Sequence, residues 1–343
     1  MLASAQDGME RKAPSGKTNR TEHKLCPMQI DLAYTGSPTG AEAAALQAVS
    51  AGYTGLWTSE SKHDPFLTLA LAGRTASELA LGTGIAVATA RSPFTLAQSA
   101  WDLALLSRGR FRLGLGSQVK AHVTRRFSMP WDRPIARMRE TVLALRAIWH
   151  AFQTGEKLHF EGEFFRHTLL TPNFSPGPSP YSVIPIGLAA VGPQMTRLAG
   201  EVADFVLLHP FTHPKAIRAL SLPHLRLGEI QRQNPIEVVG SLFAFLEDDE
   251  FERRRESVRN KVAFYGSTPA YHAVLQSLGE DELAERLHGW SREGQWKQMG
   301  QAISEELLAQ FCVTAPNRDE LFARVRERFG GLYDRVILTV PGE

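Results

Sequence analysis

Residues 79–118 read LALGTGIAVATARSPFTLAQSAWDLALLSRGRFRLGLGSQ. Two short apolar runs, 81–87 and 111–116, flank a stretch in which Phe94, Ala97, Trp101 and Leu105 recur at helical spacing. The pattern is strand, helix, strand. Gly82, Gly84, Gly114 and Gly116 fall at or near the C-terminal ends of the two strands. Bare backbone there lets a planar ring or a phosphate approach closely, and it equally lets a narrow barrel pack tightly. Parallel α/β folds bind ligands at this edge. The stretch therefore points to a barrel or open-sheet enzyme with a phosphate-bearing cofactor.

The same alternation extends in both directions. Residues 28–34 (MQIDLAY) and 55–59 (GLWTS) read as strands, with helices expected over 41–51 and 66–77. A long helix is expected over 133–153, with Ile135, Met138, Val142, Leu145 and Trp149 on one side. The rhythm breaks over 155–180, where HFEGEFFRHT suggests a small hairpin and PGPSP a loop. Strands resume at 184–189, 204–208 and 236–246, with helices over 193–200 and 215–227. Residues 248–300 are charged and helical, longer than an ordinary connection. Asn317 and Glu320 form a capping-box pattern before Leu321, Val325 and Phe329, and 334–340 (DRVILTV) is a final buried strand. Eight apolar rather than alternating strand segments, mostly separated by helices, predict an α/β chain folded as a (β/α)8 TIM barrel with insertions. A doubly wound sheet is the alternative, weakened because no strand is followed by GxGxxG with a later acid.

One domain over 28–343 is expected, with insertions near 155–180 and 248–300. Residues 1–27 are polar and aperiodic and read as a disordered tail. Ser15-Gly16-Lys17-Thr18 in that tail mimics half of a P-loop, but Arg11 stands where its first glycine belongs. The 343 residues are 43% apolar and 22% charged, with a net charge of +2, which implies a large core and no nucleic-acid field. Cys26 and Cys312 are far apart, so neither a disulfide framework nor a zinc site is expected, and a reducing cytoplasm is the default location. No apolar run reaches the roughly 18 residues of a membrane span, and no apolar leader opens the chain.

In a TIM barrel the site lies at the strand C-termini. The loop after strand two carries Glu60, Ser61, His63 and Asp64. Glu60 and His63 could handle protons or bind a cofactor, while Asp64 before Pro65 reads as a helix cap. Val191, Gly192 and Pro193 precede a helix whose free N–H groups would suit a phosphate, although a plain turn has the same pattern. His209 before Pro210 is a further candidate for proton handling. Lys120, His122, Arg125 and Arg126 could hold an anion or form a solvated helix face. No His/Asp/Glu set has metal-ligand spacing, and no GxSxG marks a serine nucleophile.

At these residues the chain resembles the luciferase-like flavin-dependent oxidoreductases, and within them the branch that uses the deazaflavin coenzyme F420. The passages that carry the resemblance are 55–66 (GLWTSESKHDPF), 81–93 (LGTGIAVATARSP) and 107–122 (SRGRFRLGLGSQVKAH). It continues through 125–140, 188–211 and 263–271 (AFYGSTPAY). It implies an isoalloxazine-like ring at the strand ends, beside a non-proline cis peptide at Gly84–Ile85. It also implies phosphate contacts from Ser117, Gln118 and the stretch Gly192, Pro193, Gln194 and Met195, with Val191, Ser61 and His122 nearby. Glu60 would be the acid after strand two. Ser61 replaces a histidine that several relatives carry, and the helix that usually follows the last strand is not expected here. The implied activity is hydride transfer between F420 and a small organic substrate. The alternatives are an FMN-dependent monooxygenase of the same fold and a non-catalytic flavin-binding barrel. A homodimer is the implied assembly.

Overall fold

A computed structural model describes residues 27–340. The tail expected over 1–27, apart from Pro27, lies outside the described residues, and so does the P-loop-like stretch. The chain opens with β1 (Gln29–Tyr34), α1 (Ala41–Ser50), β2 (Gly55–Thr58) and α2 (Pro65–Thr75). Asp64 caps α2, its carboxylate accepting the N–H groups of Phe66 and Leu67, as a residue before an N1 proline is placed to do.

The single strand expected over 81–87 is two, β3 (Ala80–Thr83) and β4 (Ala86–Val87). After α3 (Pro93–Leu106) comes β5 (Phe111–Gly116). Gly82 pairs with Arg112, and Ala86 pairs with Leu115. The first strand thus takes four steps where β5 takes three, which is a bulge of one residue. Thr83 fills the gap in the ladder. Its hydroxyl donates to the Gly114 carbonyl at 2.7 Å and accepts the Gly114 N–H at 2.9 Å. Apolar periodicity cannot reveal such a break, because residues on both sides of it are buried.

The chain continues through α4 (Lys120–Arg125) and α5 (Pro134–Thr154). The expected hairpin forms between β6 (Phe160–Glu161) and β7 (Arg166–His167). Then come β8 (Ile186–Ala190), α6 (Pro193–Val202) and β9 (Phe205–Leu208). The helix expected over 215–227 contains a π turn, Ile217–Ser221, between α7 (Pro214–Ala216) and α8 (Leu222–Glu229). After β10 (Glu237–Leu246) the helices α9 (Phe251–Gly266), α10 (His272–Gln276), α11 (Asp281–Arg292), α12 (Trp296–Gln301) and α13 (Glu305–Phe311) follow, so the helical insertion continues past Gly300. A short strand that periodicity misses, β11 (Cys312–Ala315), pairs with the far end of β10. Four residues with polar Cys312 and Thr314 give too little pattern to read. Asn317 caps α14 (Arg318–Phe329), and β12 (Arg335–Thr339) ends the described chain.

Every pairing in the main sheet is parallel, and β10 bonds both β9 and β12. The sheet therefore closes into an eight-stranded (β/α)8 barrel, the TIM-barrel architecture expected from the sequence. Trp57, Phe205, Leu207, Val239 and Ile337 fill its interior. A Cβ at Gly82 would run into the Trp57 ring, and one at Gly114 would run into the Thr83 carbonyl. At these two positions the tight-packing reading of the strand glycines holds. The insertion packs its own cluster, including Val258, Val262, Leu287 and Phe311, onto Phe211, Phe243 and Phe245.

The N-terminal end of the barrel is closed by charge. Asp31, fully buried, accepts from Trp57 Nε1 at 2.6 Å, Thr54 Oγ1 at 2.6 Å and Arg335 Nη1 at 2.5 Å. Arg335 also bonds Glu237, which bonds Arg112. Burial alone would lower the Arg335 guanidinium, but Asp31 and Glu237 outweigh it and hold the pKa above its usual value.

Candidate functional site

The opposite end of the barrel is open. A cavity of about 130 Å³ lies over the strand ends, lined among others by Gly84, Ile85, Ala189, Val191, Leu207 and His209. The peptide Gly84–Ile85 is cis, as the resemblance implied. Ser241 on β10 adds a hydroxyl to the wall.

Glu60 stands directly behind this bulge. Its N–H donates to the Ile85 carbonyl at 2.9 Å, and its Oε2 accepts the Val87 N–H at 2.7 Å. The same oxygen meets Arg91 Nη1 at 2.5 Å, and Arg91 Nη2 meets Asp64 at 2.7 Å. Burial would lower the Arg91 pKa, yet the two carboxylates raise it. Glu60 is thus engaged in fixing the segment from Ile85 to Arg91. Arg91 escaped the sequence reading, although it lies within the quoted 81–93 passage, because a lone arginine before Ser-Pro has no distinguishing pattern.

His209, at the end of β9, accepts the Phe211 N–H on Nδ1 at 3.0 Å. An accepting Nδ1 places the ring proton on Nε2, so the neutral imidazole presents an N–H donor. Burial pushes its pKa down to about 4. Tyr265 and Tyr271 from the insertion flank the ring, with centroids at 4.5 and 4.9 Å. Burial raises both phenols, Tyr271 further through its neighbour Tyr265, so both keep their O–H. Neither tyrosine was singled out from the sequence. Their only signal is their presence in the 263–271 passage.

His213 holds that roof in place. Its Nδ1 accepts the Ala216 N–H, and its Nε2 faces the Val274 carbonyl at 3.2 Å and Ser277 Oγ at 3.1 Å. The loop after β9 is thereby clasped to α10, which directly follows Tyr271.

Of the remaining candidates, Val191 alone is in the cavity lining. Gly192 is the N-cap of α6, Pro193 its first residue, and no side chain caps this helix end. The N–H groups of Gln194 and Met195 belong to its first turn, beside Val191 in the cavity wall. Gln118 is left-handed at φ 60°, and the Ser117 carbonyl accepts from Thr89 at 3.2 Å. Ser61, His63 and His122 are exposed and do not line the cavity. Arg126 bonds the Ser61 carbonyl, which links α4 to the loop after β2. Among the described residues no group of three His, Cys, Asp or Glu could hold a metal, and no helix is long and apolar enough to cross a membrane.

Comparison with known proteins adds to this geometry. The family model described as luciferase-like monooxygenase matches residues 23–335. An uncharacterized protein of Mycobacterium tuberculosis is 45% identical over 291 residues, which cover 83% of this chain and 85% of that one. A 5,10-methylenetetrahydromethanopterin reductase of Methanolobus tindarius is 26% identical over 284 residues, 80% of this chain and 82% of the relative. Among solved structures, the coenzyme F420-dependent tetrahydromethanopterin reductase of Methanopyrus kandleri superposes with a TM-score of 0.76 at 22% identity, over 92% of this chain and 93% of that one.

Proposed function

The chain belongs to the luciferase-like monooxygenase family, and from that premise we propose that it binds the deazaflavin coenzyme F420 at the strand ends and exchanges a hydride with a small organic substrate. The observation that carries this reading is the adjacency of two features. One is the apolar cavity over Gly84 and Ile85, and the other is the uncapped start of α6, which begins two residues beyond Val191 in the cavity wall. The first fits a planar ring, and the second fits a phosphate held by backbone N–H groups and the helix dipole. Similarity to a methylenetetrahydromethanopterin reductase favours reduction over oxygenation.

Ile85, Ala189 and Leu207 would hold the ring, while Ser117, Gln118 and the backbone from Gly192 to Met195 would hold the phosphate. The deazaflavin, when bound, supplies the hydride chemistry. Glu60, fixed by Arg91 and the Val87 N–H, keeps the segment behind the ring site in shape. Tyr265 and Tyr271 cover His209 and keep water from it. His209 offers its Nε2–H to the substrate, whereas His63 is exposed and outside the cavity lining.

A paired fluorescence titration with F420 and FMN tests the proposal. Tight binding of F420 alone is the expected outcome. Tight binding of FMN alone would move the protein to oxygen chemistry, and binding of neither would leave a barrel without this cofactor.

A further inference from the structure

A second, smaller cavity of about 30 Å³ lies beside the first and is bounded by Phe211, Thr212, Ser221 and Tyr271. The two share Ala190, Val191, Leu208 and His209 as a common wall. Among the described residues, neither lining contains a Lys, Arg, Asp or Glu. Of the charged groups behind the first cavity, Arg91 satisfies both Glu60 and Asp64, and Lys215 and Arg218 beside the second are exposed and outside its lining. An ion entering this chamber would be desolvated with no counter-charge to meet it, at a cost of several kcal/mol. The polar groups on offer are the hydroxyls of Ser241, Ser221, Thr212 and Tyr271 and the Nε2–H of His209.

We propose that the substrate of this site is uncharged and presents a carbonyl-type oxygen to the Nε2–H of His209, with its apolar body against the ring of Tyr271 and the aliphatic walls. This deepens the reading of the strand ends as the reaction site and rests on it. The tautomer is fixed by geometry, because the Phe211 N–H occupies Nδ1. The low pKa of the buried ring keeps it neutral at physiological pH, so it brings no charge of its own to attract an anion. Organic acids, phosphate esters and amines are thereby excluded at this wall, while ketones, aldehydes and esters are admitted.

The test uses the full chain without cofactor and three probes of one shape: cyclohexanone, cyclohexanecarboxylate and cyclohexylammonium. Binding is followed by ligand-observed NMR, and the histidine ring nitrogens are followed by 15N NMR. Cyclohexanone is expected to bind at least about tenfold more tightly than either ion and to shift the Nε2 resonance of His209. His209→Asn keeps an acceptor for the N–H two residues on, as an Asx turn does, but its shorter amide places no N–H at the position of Nε2. It is expected to weaken cyclohexanone about tenfold. His209→Asp keeps the same turn and is expected to reverse the preference toward cyclohexylammonium. The proposal is overturned if an ion binds as well as the ketone, if no probe binds, or if His209→Asn leaves ketone affinity unchanged. The 15N shift in the unsubstituted protein decides the matter should a variant not fold. Because no cofactor is present, failure of the F420 titration leaves this result intact, and failure here leaves the cofactor reading intact.

Discussion

At the N-terminal end of the barrel Asp31, Arg335, Glu237 and Arg112 close on one another and on Trp57, whereas at the C-terminal end Ala189, Leu207 and His209 face a cavity. The first group stands on β1, β2, β5, β10 and β12, and the second on β8 and at the end of β9, all strands of one closed sheet. Side chains at the first are large and charged, and they satisfy each other. Those at the second are small or neutral, and their hydrogen-bonding groups are left for something else to meet. Charge packed into the floor secures the barrel, whereas at the other end the cavity lining carries no Lys, Arg, Asp or Glu among the described residues. The comparison predicts that substitutions at the floor act on stability and those at the roof on binding.

The largest expected effect is at Asp31. Asp31→Ala leaves Trp57 Nε1 without its acceptor and Arg335 with Glu237 alone, and should cost about 3–5 kcal/mol in urea denaturation. His209→Asn, at the other end, should cost less than about 1 kcal/mol, because the Asx turn preserves the bond to Phe211. A mild Asp31→Ala together with a severe His209→Asn would break the comparison.

The next effect is pH-dependent. Above the ordinary histidine value of 6.5, His209 is neutral in both the folded and unfolded chain. Between 6.5 and about 4 only the unfolded chain takes up the proton, so stability falls as pH falls, and the loss levels off below about 4. A shift of that size corresponds to about 3 kcal/mol. Denaturation from pH 7 to pH 4 should show the wild type losing roughly this much more stability than His209→Asn. Parallel curves would mean that the ring is solvated rather than buried.

The smallest effects come from two glycines. Gly82→Ala drives a methyl group into Trp57 and should cost about 1–3 kcal/mol, read as a shift in melting temperature. Gly192→Ala meets nothing within 4 Å. It should stay within about 0.5 kcal/mol of the parent. Equal costs would erase the distinction between a packed barrel interior and an open helix start.

The sequence by itself determined the α/β class and the order of its elements. Eight apolar runs with helices between them leave few arrangements that bury every run on both faces, a barrel or a doubly wound sheet, and the pairing of β10 with both β9 and β12 decided between them. It also determined features fixed by neighbours in the chain, such as the Asp64 cap before Pro65, the Asn317 cap and the Pro193 helix start. The tertiary structure alone decided what distant residues do to one another. The bulge after Thr83 depends on Gly114, and the occupation of Glu60 depends on Arg91. The roof over His209 depends on Tyr265 and Tyr271, more than fifty residues further along the chain. Periodicity records which side of an element is buried, but not which partner lies across the gap, because that depends on how the closed sheet brings separate loops to one edge.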